Sequence, residues 1–248
     1  MLAAMLLVLA VPAVPGVTVT AQAASATLEG KGYKSGKAAV KAYLAALKKS
    51  DMDACVKTFA VEHYVKYFDQ IAYHEYIDSA SGHDEMPFPS EGGALAQSLS
   101  KYKRLEQITS EMDFQYMHLT GLDSAFPENS LVLQFTSDTE IADYVAKQKK
   151  SQKSLFASLR FVKFEDPAGI ADGYYSSEKN QATLQKWAAY LGAKEVRSIV
   201  AQVQVNGETW RFCFDTVNYQ GKWYVYRLGG DASYLLGYSN WTGGAEKE

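Results

Sequence analysis

The sequence predicts an α+β domain in which N-terminal amphipathic helices pack on an antiparallel sheet. Three observations carry this. Residues 199–228 alternate apolar and polar positions and are broken by two tight turns; apolar residues recur at helical spacing from Val40 onward; and 47% of the 248 residues are hydrophobic, enough for a sizeable core.

In the sheet, Ile199, Ala201 and Val203 alternate with Val200, Gln202 and Gln204, and Trp210, Phe212 and Phe214 alternate with Thr209, Arg211 and Cys213. Asn206-Gly207 lies between them, the strongest short-range hairpin signal. A two-residue loop there sets Val203 opposite Trp210, Ala201 opposite Phe212 and Ile199 opposite Phe214, so one face is wholly apolar. A second turn at Gln220-Gly221 adds a third strand. It brings Trp223 and Val225 to the Trp/Phe face and leaves Tyr224 and Tyr226 on the other, with Asp215 opposite Tyr226.

The remaining elements follow in order. Residues 37–49 carry Val40, Tyr43, Leu44 and Leu47 on one helical face and Lys37, Lys41 and Lys48 on the other. A short second helix begins at Ser50-Asp-Met-Asp53, a capping-box-like start. Residues 61–79 read as one helix with Tyr64, Phe68 and Ile71 inward, and residues 94–110 as another. The alternation of Met112, Phe114 and Tyr116, and the run at 131–135, read as strands. Residues 138–159 are helical, 161–164 a short strand, and 178–191 a helix stopped by Gly192.

Residues 1–26 are uncharged and apolar and end in Ala21-Gln-Ala23 and Ala24-Ser-Ala26, the pattern of a secretory signal peptide. The expected product is therefore exported, with 27–36 a linker, 37–241 a single domain and 242–248 a disordered polar tail. No second apolar run is long enough to span a membrane. A net charge of −3 and a pI near 5.9 exclude a polyanion-binding composition, so no nucleic acid is expected as a partner. Cys55 and Cys213 are expected to be free, because Cys213 points away from the face that the Cys55 helix covers.

No short motif for a phosphate, dinucleotide, zinc or serine-nucleophile site is present, and no cofactor is implied. His63 and His74 are three helical turns apart, too far to share a metal ion. One constellation has chemical content: Asp215 with Tyr226 and Tyr224, a carboxylate and phenols of the kind that serve some isomerases as base and oxyanion donor. The plainer reading of these three is a solvated sheet face. If instead the Trp/Phe face lines a cavity, Tyr64, Trp210, Phe212, Phe214 and Trp223 are its candidate ligand contacts.

Two segments carry a resemblance. Ala38-Ala-Val-Lys-Ala-Tyr-Leu-Ala-Ala-Leu-Lys-Lys-Ser-Asp-Met-Asp-Ala and Gly221-Lys-Trp-Tyr-Val resemble secreted bacterial members of the nuclear transport factor 2-like (cystatin-like α+β) superfamily. The resemblance implies N-terminal helices packed on a strongly curved antiparallel sheet. Residues 80–195 exceed what that fold needs and are read in part as a helical insertion in the middle. No catalytic residue of the superfamily carries over. The expected function is a secreted, non-enzymatic domain that binds a small apolar or cell-envelope ligand, or a partner, in the helix/sheet cavity. The alternative is a small isomerase or hydrolase using the Asp215/Tyr226 pair.

Overall fold

A computed structural model describes residues 27–77, 86–89, 92–121, 137–238 and 242–248. The expected signal peptide at 1–26 and the expected strand at 131–135 fall outside the described residues. The chain is α+β, with helices on an antiparallel sheet of β1 (Arg160–Glu165), β2 (Glu195–Val205), β3 (Glu208–Tyr219), β4 (Lys222–Leu228) and β5 (Ala245–Lys247). The order is β1-β2-β3-β4, and β5 pairs with the first half of β3 on the edge that β4 uses further along.

Asn206 and Gly207 both take positive φ, and the turn sets Val203 against Trp210, Ala201 against Phe212 and Ile199 against Phe214. The second turn, Gln220-Gly221, likewise has positive φ at both residues and pairs Val217 with Tyr224 and Thr216 with Val225. Beyond that point the expected register fails: Asp215 pairs with Arg227, not with Tyr226. Tyr226 is the extra residue of a bulge in β4, which reverses the alternation and returns Leu228 to the Trp/Phe side opposite Phe214.

Helix α1 (Gly36–Lys48) starts where Ala38 N–H donates to Ser35 Oγ and lays Val40, Tyr43, Leu44 and Leu47 on the Trp/Phe face. The Tyr43 ring meets Phe214 and Phe59 edge-on at 5.5 and 5.8 Å. Helix α2 (Met52–Val56) follows, capped by Asp51. The single helix expected at 61–79 is two, α3 (Glu62–Tyr67) and α4 (Gln70–Ile77). Asp69 breaks it: its carboxylate accepts Ala72 N–H while its own N–H donates to Tyr190 O, and Ile71, expected inside, is exposed.

Helix α5 (Gly93–Thr120) runs straight through Met112, Phe114 and Tyr116, which the alternation assigned to a strand. Helical phasing there buries Gln115, whose amide accepts from Tyr43 Oη at 2.9 Å and donates to Gly243 O at 3.0 Å. Helices α6 (Asp138–Ala157), α7 (Pro167–Ile170), α8 (Glu178–Tyr190) and α9 (Gly230–Leu235) complete the described set. Two segments expected to be loose are structured. In the 27–36 linker, Glu29 is buried and Tyr33 exchanges both main-chain hydrogen bonds with Trp223. In the 242–248 tail, residues 245–247 form β5.

The second sheet face is not solvated either. Helices α3, α4 and α8 cover Val217, Tyr219, Tyr224 and Tyr226, and α9 covers Val200 and Cys213. Cys55 lies in the α1 core and Cys213 under α9; both are buried and free. Burial pushes the Cys55 thiol up to about 12, with Asp51 adding to the effect.

Candidate functional site

The residues that the sequence singles out for chemistry do not meet. Asp215 is fully buried and accepts from Ser198 Oγ at 2.7 Å, Arg227 Nε at 2.8 Å and Asp231 N–H at 3.1 and 3.2 Å. Its oxygens are engaged by structural donors, as expected of a buried carboxylate that holds a fold together. Asp231 itself is held above the usual carboxylate range, chiefly by burial. Tyr226 directs its carbonyl to the Arg104 guanidinium, and that cation lies 4.9 Å from its ring. Tyr224 belongs to a different cluster, beside Glu29 and His63, where burial and then Glu29 push its phenol up to about 12.

The five ligand-pocket candidates divide in the same way. Trp210, Phe212 and Phe214 share one core with Tyr43, and the space between α1 and the Trp/Phe face is filled by these side chains. Tyr64 belongs to the other core, on the far side of the sheet. Trp223 sits at the end of the Trp/Phe face under the Arg197 guanidinium, 5.4 Å away. His63 is tied to Glu29 through Nδ1 and packed among Tyr67, Tyr219 and Tyr224. Glu29 also accepts Val61 N–H at 2.7 Å and His63 N–H at 3.1 Å, so it supplies the cap that Val61 cannot give α3. Among the described residues, no cluster of His, Cys, Asp and Glu could hold a metal ion.

What the sequence does not show is a groove at the start of β2. β1 pairs with β2 only from Val200 to Gln204 and then turns away into α7. The orientation of the uncovered part follows from the ladder. Cys213 gives its N–H to Gly244 O and takes Gly229 N–H, so it faces away from β2; Val200 opposite it therefore faces away from β3, and by alternation so do Ser198 and Val196. Ser198 N–H reaches Tyr175 Oη at 3.1 Å. Val196 N–H, Val196 C=O and Ser198 C=O have no partner among the described residues.

Val196 borders a groove of about 430 Å³ between β2 and α8, and Ser198 lies just beyond it along the strand. Its floor is apolar, made by Val196 with Leu184 and Ala188 of α8. Its rim is polar: Gln181 and Gln185 on the helix, exposed Lys194, and Arg197 paired with Glu195. Ser177 caps α8 by accepting Asn180 N–H, and Asn180 in turn donates to Asp231 at 2.8 Å, which fixes the helix against the sheet. A strand edge with unpaired donors and acceptors is a geometry to which extended polypeptide can add.

No protein-family model and no curated protein matches the sequence. Among solved structures, the chain is similar to the crystal structure of a cystatin-like protein from Ruminococcus gnavus, with a TM-score of 0.46 and 16% identity. The match covers 85% of this chain and 43% of that one, so the chain spans less than half the length of that protein.

Proposed function

We propose that the chain is an exported, non-enzymatic binding domain of the nuclear transport factor 2-like superfamily that holds an extended stretch of a partner polypeptide in the α8/β2 groove. The observation that carries this reading is the set of three unpaired main-chain groups on Val196 and Ser198 beside an apolar floor. A peptide added at that edge continues the line of β1. Its residue next to Val196 points toward Leu184 and Ala188, and its neighbours point toward Arg197 and Glu195, so the fitting sequence alternates apolar and charged or polar residues. The uncharged, apolar residues 1–26 support export, and α1 lying along the Trp/Phe face supports the superfamily assignment. Against catalysis stands the engagement of both Asp215 oxygens by buried donors.

The test is an amide NMR titration of the full chain with a synthetic pool of acetylated octapeptides in which Val, Leu or Phe alternates with Thr, Lys or Asp. We expect shifts at Val196 and Ser198, protection of the Val196 amide from exchange, and loss of both when alternate peptide amides are N-methylated. Shifts that survive N-methylation, or that fall elsewhere on the molecule, reject the groove.

A further inference from the structure

We propose a second, separate site: the cleft between α5 and the end of β4 binds a small organic carboxylate. Arg104 of α5 is only 4% exposed. Its Nε donates to Ala60 O at 3.3 Å, one terminal nitrogen to Tyr226 O, and the other to Gln107 Oε1 at 3.3 Å. A guanidinium has five N–H groups, so two remain unused. Its charge is faced by the rings of Tyr64 and Tyr226 at 4.8 and 4.9 Å, and no described carboxylate pairs with it. A buried cation without a directly paired carboxylate is costly, and aromatic faces offset only part of that cost.

Arg227 stands on the other side of the same cleft. It gives Nε to Asp215 and stacks on Trp187 at 4.4 Å, which fixes the plane of its fork. Its terminal nitrogens have no partner among the described residues, and its side chain is 30% exposed. Arg104, Arg227, Phe114 and Tyr226 line one cleft of about 200 Å³, and both guanidinium groups lie against the Tyr226 ring, at 4.9 and 5.8 Å. Planar N–H forks match a carboxylate. The aromatic walls suit an apolar body on that carboxylate. Charge sets the limit: Asp215 already balances Arg227, and Glu111 lines the wall with one oxygen turned to Leu228 N–H at 2.7 Å. With Asp215 on Arg227 and Glu111 in the wall, the two guanidinium charges already face two carboxylates, so a singly charged carboxylate is tolerated better than a phosphate dianion.

Calorimetric titration of the full chain with benzoate and with inorganic phosphate at neutral pH tests the proposal. We expect single-site benzoate binding, with phosphate weaker by about tenfold or more. Gln107→Glu supplies Arg104 with the missing carboxylate from within, so it should abolish benzoate binding while leaving the thermal midpoint unchanged or higher. Arg227→Lys, at the less buried of the two groups, should weaken benzoate by about tenfold through loss of the fork. No benzoate heat up to roughly 10 mM, or affinity unchanged in both variants, overturns the site. Tighter binding of phosphate than of benzoate overturns the carboxylate assignment.

Discussion

The two long edges of the sheet are treated in opposite ways. Along β4 every outward main-chain group that can be followed is engaged. Trp223 pairs with Tyr33, Val225 N–H reaches Thr58 O and Val225 O takes Ala60 N–H, Tyr226 O takes the Arg104 guanidinium, and Leu228 N–H goes to Glu111. Along the start of β2 the only cover is the Tyr175 hydroxyl on Ser198 N–H, and three groups beside it stay unpaired among the described residues. A free edge is a hazard that folded proteins close when they can. One edge is closed by three separate segments, the stretch at Tyr33, the stretch at Thr58 and Ala60, and α5, while the other keeps unpaired groups beside a helix.

Breaking the closed edge should have the largest effect. Arg104→Ala leaves the Ala60 and Tyr226 carbonyls unpaired and buried, at about 1–3 kcal/mol each, and the expected loss from urea unfolding is about 2–5 kcal/mol. A loss under about 1 kcal/mol means that Arg104 does not hold this edge. Hydrogen exchange compares the two edges directly: the Trp223 and Val225 amides should exchange at least about 100-fold more slowly than Val196, equivalent to roughly 2.7 kcal/mol of opening energy. Equal rates would erase the contrast. Glu111→Ala strips Leu228 N–H of its acceptor and should cost about 1–3 kcal/mol, read from the same denaturation midpoint. The smallest effect belongs to the open edge. Tyr175→Phe should lower stability by under about 1 kcal/mol, because water reaches this rim, and it should tighten peptide binding by freeing Ser198 N–H. Weaker binding would show that the hydroxyl itself contacts the peptide.

The sequence specifies these regions unequally, for physical reasons. The β2/β3 register is legible because Asn206-Gly207 admits few turns and a one-residue slip would turn Trp210 and Phe212 out of the core. The β4 bulge is not, since Tyr226 carries no signal that it is the extra residue; its position is set by Arg227 reaching Asp215. Strand-like alternation at Met112, Phe114 and Tyr116 misleads because Gln115 is an inward residue, paired with Tyr43 and Gly243. The second sheet face reads as solvated because α3 and α4 lie far earlier in the sequence and nothing in the strands' alternation shows that the neighbouring α8 and α9 fold back over it. Neither candidate site is legible at all. The groove depends on where β1 stops, and the cleft on two arginines brought together by α5 crossing the end of β4.

The spans that these contacts bridge bear on how the chain assembles. β2, β3 and β4 are joined by two-residue turns, whereas Arg104 and Glu111 reach partners 122 and 117 residues away. Local hairpins form in microseconds, and contacts that close long stretches of chain come later. On that order, the β2–β4 hairpins are expected to form before α5 closes the outer side of β4. Arg104 acts after that point. Its loss should leave the refolding rate nearly unchanged and raise the unfolding rate, so the residue governs how long the native state lasts more than how fast it is reached.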